Sequence, residues 1–269
     1  MLVTHPAQFP RWRRPYSLST ICHGAFRGCS ALTKLTFPAS AALTVIGHGA
    51  CRDCTLLTSL TLPAALTYID DFAFYRCACL VEVTFPAALV TIGNRVFYGC
   101  ASLVKVNLSA SLVTIGICAF TGCSLTELTL PATLTTLSNY AFGDNRSLKK
   151  LTLSAALTTI GTGAFRFCVN LTDVILPAAL TINGTFRSPF ALSFTLALPA
   201  GALTLTNVGY DVFYGCPSLS FTSRKAIRAS RLHLAFAPLD NMGYTPGYHP
   251  PSALDLSNIG VPHPCCCLS

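Results

Sequence analysis

The chain has 269 residues, of which 52% are hydrophobic and 10% charged, and its 18 lysines and arginines outnumber its 10 acidic residues to give a net charge of +8. This length can bury a substantial core. A charged fraction well below the roughly 25% usual in globular domains argues against a disordered chain. The positive charges are scattered along the sequence, so the composition does not indicate nucleic-acid binding.

The first 17 residues are predicted to form a disordered basic leader. They contain Arg11, Arg13 and Arg14 but no apolar run of seven residues, so they lack the pattern of a signal peptide. Three prolines among the first fifteen residues oppose an amphipathic targeting helix.

From residue 18 to residue 221 the sequence repeats with a period close to 23 residues. Each repeat contains a short segment such as Val96–Cys100 (VFYGC), whose second position we call the marker. The nine markers are Phe26, Cys51, Phe74, Phe97, Phe120, Phe142, Phe165, Phe186 and Phe213. A constant period of this length is the signature of a repeat solenoid, here of about nine units.

Each unit has the same three parts. A strand-like LxxLxLP segment comes first, a second short apolar segment such as Leu89–Gly93 follows, and the marker turn closes the unit. Alternation within LxxLxLP predicts leucines facing inward and threonines facing outward. The glycines after the second segment are expected to supply a tight turn with positive φ, at Gly47, Gly93, Gly116 and Gly161. Stacking of units would bury their apolar side chains in one continuous column.

The unit LxxLxLPxxLxxIGxxAFxxC, clearest from Leu80 to Cys100, resembles the BspA-like class of leucine-rich repeats. The resemblance covers about Leu18 to Leu219. It implies a curved solenoid with a parallel sheet on the concave face and short strands or turns on the convex face. It also implies a non-enzymatic protein, mostly surface- or adhesion-associated, that binds other proteins. The sequence departs from this pattern near Phe186, where Pro189 replaces the cysteine, and around residues 203–211.

The outward positions of the LxxLxLP strands form the candidate binding surface. Charged residues of alternating sign follow one another along the stack, with threonines beside them: Glu82, Lys105, Glu127, Lys150 and Asp173, and Thr61, Thr84 and Thr129. One interpretation is a strip that binds a charged partner. We favour the other, in which neighbouring charges neutralise one another and fix the strand register, because such a strip offers a ligand little net field.

The cysteines and histidines predict no metal, cofactor or catalytic site. Seven of the fourteen cysteines fill one slot of the repeat and are expected to be small buried residues: Cys29, Cys54, Cys77, Cys100, Cys123, Cys168 and Cys216. The CxxC of Cys51 and Cys54 follows from this register, and no second CxxC completes a zinc site. His23 and His48 occupy equivalent turn positions and are candidates to touch, although we favour a solvated turn.

The C-terminal region differs in composition from the repeats. Residues 222–236 favour a basic amphipathic helix that caps the solenoid, and an alternative is a surface for anionic lipid. Residues 237–269 are predicted to be a flexible, proline-rich tail. Its end makes Cys266 the first residue of a C-a-a-X prenylation box, with Cys265 as a second acylation site, unless this cysteine-rich end is accidental.

These patterns predict a non-enzymatic protein-interaction scaffold that recognises its partners through the concave face of the solenoid. We expect a monomer with unidentified protein partners, no nucleic-acid partner, and membrane attachment only if the C-terminal box is lipidated. The missing signal-peptide pattern and the many unpaired cysteines favour the cytosol or the cytosolic face of a membrane. One alternative is a fragment of a larger enzyme or signalling protein in which the repeats serve recognition. Another is a structural repeat without a partner.

Overall fold

The computed structural model describes residues 19–37, 41–176, 181–182, 204–205, 207–208 and 212–220, all of them within one compact unit, Met1–Ala237. The predicted leader (1–17), cap helix (222–236) and tail (237–269) lie outside these residues. In the described part of the chain, no helix is long and apolar enough to cross a membrane.

Each LxxLxLP segment contains a three-residue strand. These strands are β2 (Lys34–Thr36), β4 (Ser59–Thr61), β6 (Glu82–Thr84), β8 (Lys105–Asn107), β10 (Glu127–Thr129), β12 (Lys150–Thr152) and β14 (Asp173–Ile175). Their middle side chain faces the interior and the flanking two face outward, as in β4, where Leu60 is buried and Thr61 is exposed. The predicted alternation of inward leucines and outward threonines is therefore confirmed.

The second apolar segment of each unit forms a two-residue strand. These strands are β1 (Thr20–Ile21), β3 (Val45–Ile46), β5 (Tyr68–Ile69), β7 (Thr91–Ile92), β9 (Thr114–Ile115), β11 (Thr136–Leu137), β13 (Thr159–Ile160), β15 (Thr181–Ile182), β16 (Thr204–Leu205) and β17 (Asn207–Val208). Eight of them form one parallel sheet in the order β1-β3-β5-β7-β9-β11-β13-β17. From β1 to β13 equivalent residues pair in successive units, so the sheet advances one strand per repeat; β13 then pairs with β17, and β15 and β16 form a separate two-stranded sheet.

The longest continuous sheet is thus built from the shorter strands. The three-residue strands pair in parallel as β2-β4, β6-β8 and β10-β12-β14. The interruption between β8 and β10 coincides with a turn after Cys123 that is one residue shorter than the turn after Cys100. The interruption between β4 and β6 has no such difference in turn length.

The prediction of positive φ at the glycines that follow the two-residue strands is wrong. Gly93 and Gly116 do not adopt left-handed backbone, which occurs instead two residues later in the turn, for example at Arg95. A Cβ on Gly116 would lie 2.5 Å from the carbonyl carbon of Gly93, and one on Gly93 would lie 2.6 Å from Asp71 Oδ1. These residues are glycine because adjacent turns approach too closely for a side chain; Gly47 and Gly161 meet the same constraint.

The core is a column of stacked marker rings. Five successive contacts join Phe74, Phe97, Phe120, Phe142, Phe165 and Phe213, with ring centroids 5.1–5.8 Å apart and interplanar angles of 1–10°. All six are almost completely buried. Leucines and isoleucines of both strand types surround the rings, so each unit completes the core of its neighbours.

The column skips one repeat length near its C-terminal end. Phe213 stacks directly on Phe165 at 5.6 Å, although the period places a marker, Phe186, between them. Phe186 lies outside the described residues, which contain the other eight markers. The thiol of Cys216 donates a hydrogen bond to the Phe165 carbonyl at 3.2 Å, a bond that Pro189, at the cysteine slot of the intervening repeat, has no donor to make.

Candidate functional site

The outward side chains of the three-residue strands, which we call the strand face, lie in the predicted register. Glu82 pairs with Lys105, and Lys150 pairs with both Glu127 and Asp173. Every predicted site residue is exposed: Thr61, Glu82, Thr84, Lys105, Glu127, Thr129, Lys150 and Asp173. The strands therefore present these side chains to solvent in rows whose spacing is set by the hydrogen-bonded backbone.

One ion pair forms on the strand face. Lys105 Nζ lies 3.0 Å from Glu82 Oε1, and the hydrogen bond and charge of this ammonium group lower the pKa of the Glu82 carboxyl. Asn107 Nδ2 donates to Glu82 Oε1 at 3.2 Å and to Thr84 Oγ1 at 3.0 Å. Asn107 faces outward from a predicted strand. The surface predicted from the sequence comprised only charged residues and threonines and therefore did not include Asn107.

The remaining charges align without direct pairing. In the described part of the strand face, Glu127, Lys150 and Asp173 follow one another in register but form no ion pair within 4.0 Å. Asp173 Oδ2 instead accepts a hydrogen bond from Thr172 Oγ1 at 3.0 Å. The predicted alternation of charges along the strand face is therefore present. Within the described strand face, only Glu82 and Lys105 form a direct ion pair.

Two exposed valines accompany this ion pair. Val81 and Val104 precede Glu82 and Lys105, and their side chains are 46% and 38% exposed. The Val104 amide donates to the Val81 carbonyl at 3.0 Å, which places the two residues on adjacent turns. Apolar side chains bordered by polar ones are typical of the centre and rim of a protein interface.

The cysteine slot is structural. Among the described residues the cysteines are unpaired, and most of those in this slot are buried. Their thiols donate to carbonyls of the preceding turn, such as Cys100 to Phe74 at 3.2 Å and Cys123 to Phe97 at 3.3 Å. Burial raises the pKa of the Cys100 thiol, which opposes formation of a reactive thiolate.

The CxxC of the second unit fits the same scheme. Cys51 is buried at the marker position, and the Cys54 thiol donates to the Phe26 carbonyl at 2.9 Å. No cluster of three metal-ligating side chains occurs in the part of the chain that the structure describes. Both cysteines thus have a structural explanation.

One unit uses asparagine in the cysteine slot, which the sequence analysis missed. Asn145 is fully buried, and its Nδ2 donates to the carbonyls of Phe120 at 2.8 Å and Phe142 at 2.9 Å. Its position two residues after the marker turn Phe142-Gly143 could have identified it, because cysteine occupies that slot in the neighbouring units.

The turn edge of the solenoid carries rings and arginines. His23 and His48 stack with ring centroids 4.8 Å apart, so the two histidines touch; because His23 is exposed and His48 half-buried, the turn is also solvated, as expected. His48 also lies 5.3 Å from the ring of Phe72. The lipidation candidates Cys265 and Cys266 lie outside the described residues.

Parallel two- and three-residue strands around an in-register column of rings define a leucine-rich-repeat solenoid. A family model described as the BspA type leucine rich repeat region matches residues 8–112 and 90–220. The chain belongs to this family, as the repeat motif predicted. Comparison with curated proteins returns no match.

Solved structures of other leucine-rich repeat proteins are similar to this chain. A leucine-rich repeat protein of T. pallidum is 26% identical with a TM-score of 0.52, over 78% of this chain and 76% of that one. A leucine-rich repeat protein from Bacteroides ovatus is 19% identical, with a TM-score of 0.43 over 74% and 80% of the two chains. A leucine rich cell surface protein from Faecalibacterium prausnitzii is 23% identical, with a TM-score of 0.44 over 75% and 69%.

Proposed function

We propose that this protein is a non-enzymatic interaction scaffold that binds a protein partner through its strand face. The observation that carries the proposal is the exposed pair Val81 and Val104 beside the hydrogen-bonded group of Glu82, Lys105 and Asn107. The apolar side chains supply area that a partner can bury. The polar group next to them fixes the orientation in which that partner docks.

The apolar part of this surface accounts for most of the expected affinity. The Glu82–Lys105 pair is exposed, and exposed ion pairs contribute little net free energy because water and salt screen them. Burial of apolar area contributes about 25 cal/mol per Å², so loss of water from the two valines outweighs the ion pair. The other outward residues form the rim that discriminates between partners: Thr61, Thr84, Glu127, Thr129, Lys150 and Asp173.

The proposal can be tested by placing large, charged side chains on the strand face, where they would prevent a partner from docking. A variant with Thr61→Arg, Thr84→Arg and Thr129→Arg covers three units of the face. The matched control, Ala64→Arg, Ala87→Arg and Ala132→Arg, adds the same charge to exposed alanines in the turns that follow the same three strands. Wild type and both variants are used as bait, and recovered proteins are quantified by mass spectrometry.

The expected result is a protein recovered with the wild type and the alanine-site control but lost with the strand-face variant. The melting temperatures of all three baits should agree, which separates binding from folding. Equal recovery of every protein by the three baits would remove the strand face as the binding surface.

The C-terminal sequence supports a membrane-tethered form of the scaffold. Cys266 begins a four-residue C-a-a-X box and Cys265 precedes it, so one prenyl and one acyl group would supply the two anchors that stable attachment needs. The intact mass of the protein from a eukaryotic host, compared with Cys266→Ser, tests this. A lipid-sized gain with loss of three residues, abolished by the substitution, is expected; an unmodified wild-type mass would remove the anchor.

A further inference from the structure

Three arginines and three aromatic residues meet on the turn edge, away from the strand face. We call them the arginine–aromatic cluster: Arg52, Phe72, Tyr75, Arg76, Arg95 and Tyr98. Phe72 and Tyr75 have ring centroids 5.6 Å apart, and Tyr98 stacks on Tyr75 at 5.3 Å. The three arginines lie over these rings, with each Cζ 5.0–5.7 Å from a ring centroid. These distances are those of cation–π contacts.

The backbone conformation of the cluster is one that favours glycine. Phe72, Arg76 and Arg95 have φ of 59°, 56° and 53°. Equivalent positions in neighbouring units hold Gly49 and Gly99, which tolerate this conformation without strain. Among the described residues eight non-glycine residues have positive φ, and three of them meet here. Strained backbone that holds particular side chains together is a feature of functional sites.

The two outer arginines have no carboxylate partner among the described residues, whereas the nearby acids are already engaged. Arg52 pairs with Asp53 at 3.3 Å. Asp70 accepts from the Tyr68 hydroxyl at 3.3 Å and Asp71 from the Asn94 amide at 2.6 Å. Arg76 is exposed and Arg95 is half-buried, and neither forms an ion pair in the described chain. Their guanidinium groups lie against the rings and lack a carboxylate acceptor in the described chain, although Arg95 also contacts the Cys118 thiol.

The central ring of the cluster, Tyr75, is not free to stack with a ligand. Tyr75 is covered by Tyr98, Arg52 and Arg76, so a nucleobase finds no open ring face there. Because Asp53, Asp70 and Asp71 lie in the same turns, the net field of the edge is weak, and recognition must depend on direct hydrogen bonds rather than on charge alone. Carboxylates match the planar fork of a guanidinium group in this way.

We propose that the arginine–aromatic cluster docks an acidic segment of a partner protein, whose carboxylates accept hydrogen bonds from Arg76 and Arg95. Arginine and tyrosine are the residue types that dominate binding energy at protein interfaces. This second surface does not depend on the strand face, and it gives the scaffold a way to hold one partner by two separate contacts.

Copying glycine from neighbouring units into the cluster provides the test. Arg76→Gly and Arg95→Gly reproduce Gly99 and Gly49 and should leave the melting temperature unchanged or raise it, because glycine removes the strain of positive φ. The probe is a fluorescein-labelled peptide of eight residues in which glutamate and glycine alternate. Its Kd for the protein is measured by fluorescence anisotropy. We expect the double variant to raise this Kd at least tenfold.

Two further variants distinguish binding at the arginine–aromatic cluster from non-specific attraction between the peptide and the positive charge of the protein. Arg146→Ala with Lys149→Thr removes the same two charges outside the cluster and copies Ala101 and Thr126 of other units, so its Kd should equal that of the wild type. Phe72→Gly keeps the net charge but removes a supporting ring, and should also weaken binding. Arg76→Gly, Arg95→Gly and Phe72→Gly leave the strand face unchanged, so this test and that of the strand face fail independently.

Three outcomes would overturn the proposal. The first is an unchanged Kd for the Arg76→Gly, Arg95→Gly variant. The second is equal weakening by the two charge-removing double variants, which would show attraction without a specific site. The third is a labelled single-stranded oligonucleotide that binds more tightly than the peptide and is lost with the same variants, which would identify a nucleic-acid surface instead.

Discussion

The ring column and the strand face repeat with the same period, yet they are stabilised by very different contacts. In the column, each marker ring such as Phe97 is fully buried and stacks on its neighbours at 5.2–5.3 Å. On the strand face, the ion pair joins side chains that are 61% and 47% exposed. The interior therefore supplies most of the folding free energy, whereas the outward residues are free to differ between units and to specify a partner.

Removal of one ring from the column should have the largest effect. Phe97 contacts Phe74 and Phe120 face to face and Phe85 edge to face. Phe97→Ala leaves a cavity that the rigid stack cannot close, so we expect a loss of about 3–5 kcal/mol of unfolding free energy. Urea denaturation followed by circular dichroism measures this. A loss below about 1 kcal/mol would show that the column is not the main source of stability.

Loss of the buried amide in the cysteine slot should rank second. Asn145→Ala leaves the buried Phe120 carbonyl without its side-chain donor, whereas the Phe142 carbonyl keeps the Cys168 thiol at 3.4 Å. Unsatisfied buried groups cost about 1–3 kcal/mol each. Asn145→Cys is the matched control, because cysteine makes the equivalent contact in other units, and it should lose less. The melting temperatures of both variants test this prediction. An equal loss of stability in the two variants would mean that the hydrogen bonds of Asn145 contribute little.

The close approach of neighbouring turns predicts the next effect. Gly116→Ala places a Cβ 2.5 Å from the Gly93 carbonyl carbon and should destabilise the fold by about 1–3 kcal/mol. Gly143→Ala is the control, since its Cβ would meet nothing closer than 3.5 Å. Chemical denaturation should find the second variant within about 0.5 kcal/mol of wild type. Similar losses in both would point to backbone entropy or strain rather than to close packing.

Charge reversal on the strand face should have a smaller effect that depends on salt. Lys105→Glu with Lys150→Glu places like charges next to Glu82, Glu127 and Asp173, and we expect a small but measurable loss of unfolding free energy at low ionic strength. Salt near 1 M should remove most of it, because the Debye length falls to about 3 Å. An unfolding midpoint that is unchanged at low salt would refute the charge ladder.

The pH dependence contributed by Glu82 should be the smallest effect. Its pKa is lowered by Lys105, so the folded state holds this proton less tightly than the unfolded chain does. The resulting stability is present above the ordinary glutamate pKa and is lost as the pH falls through the folded value. The stability difference between wild type and Glu82→Gln should therefore shrink as the pH falls from the ordinary glutamate pKa of about 4.3 towards the lowered folded value. A constant difference over this range would contradict this assignment.

The sequence predicted the elements that depend on period alone. Because every unit repeats the same contacts, a spacing near 23 residues and an alternation of two correctly place Leu60 inward, Thr61 outward and Cys100 in a buried slot. The family follows from the same motif. The exposure of all eight strand-face residues follows too, since side chains alternate between the two sides of a strand.

Contacts between turns were decided only by the tertiary structure. The spacing could not show that Phe213 stacks directly on Phe165, because the period places Phe186 between them. Nor could it show that Gly116 is required by a neighbouring backbone rather than by its own φ. The cluster of Arg76 and Arg95 also combines residues from different slots of different units. A one-dimensional period determines which residues are equivalent, whereas distances across the stack determine which of them touch.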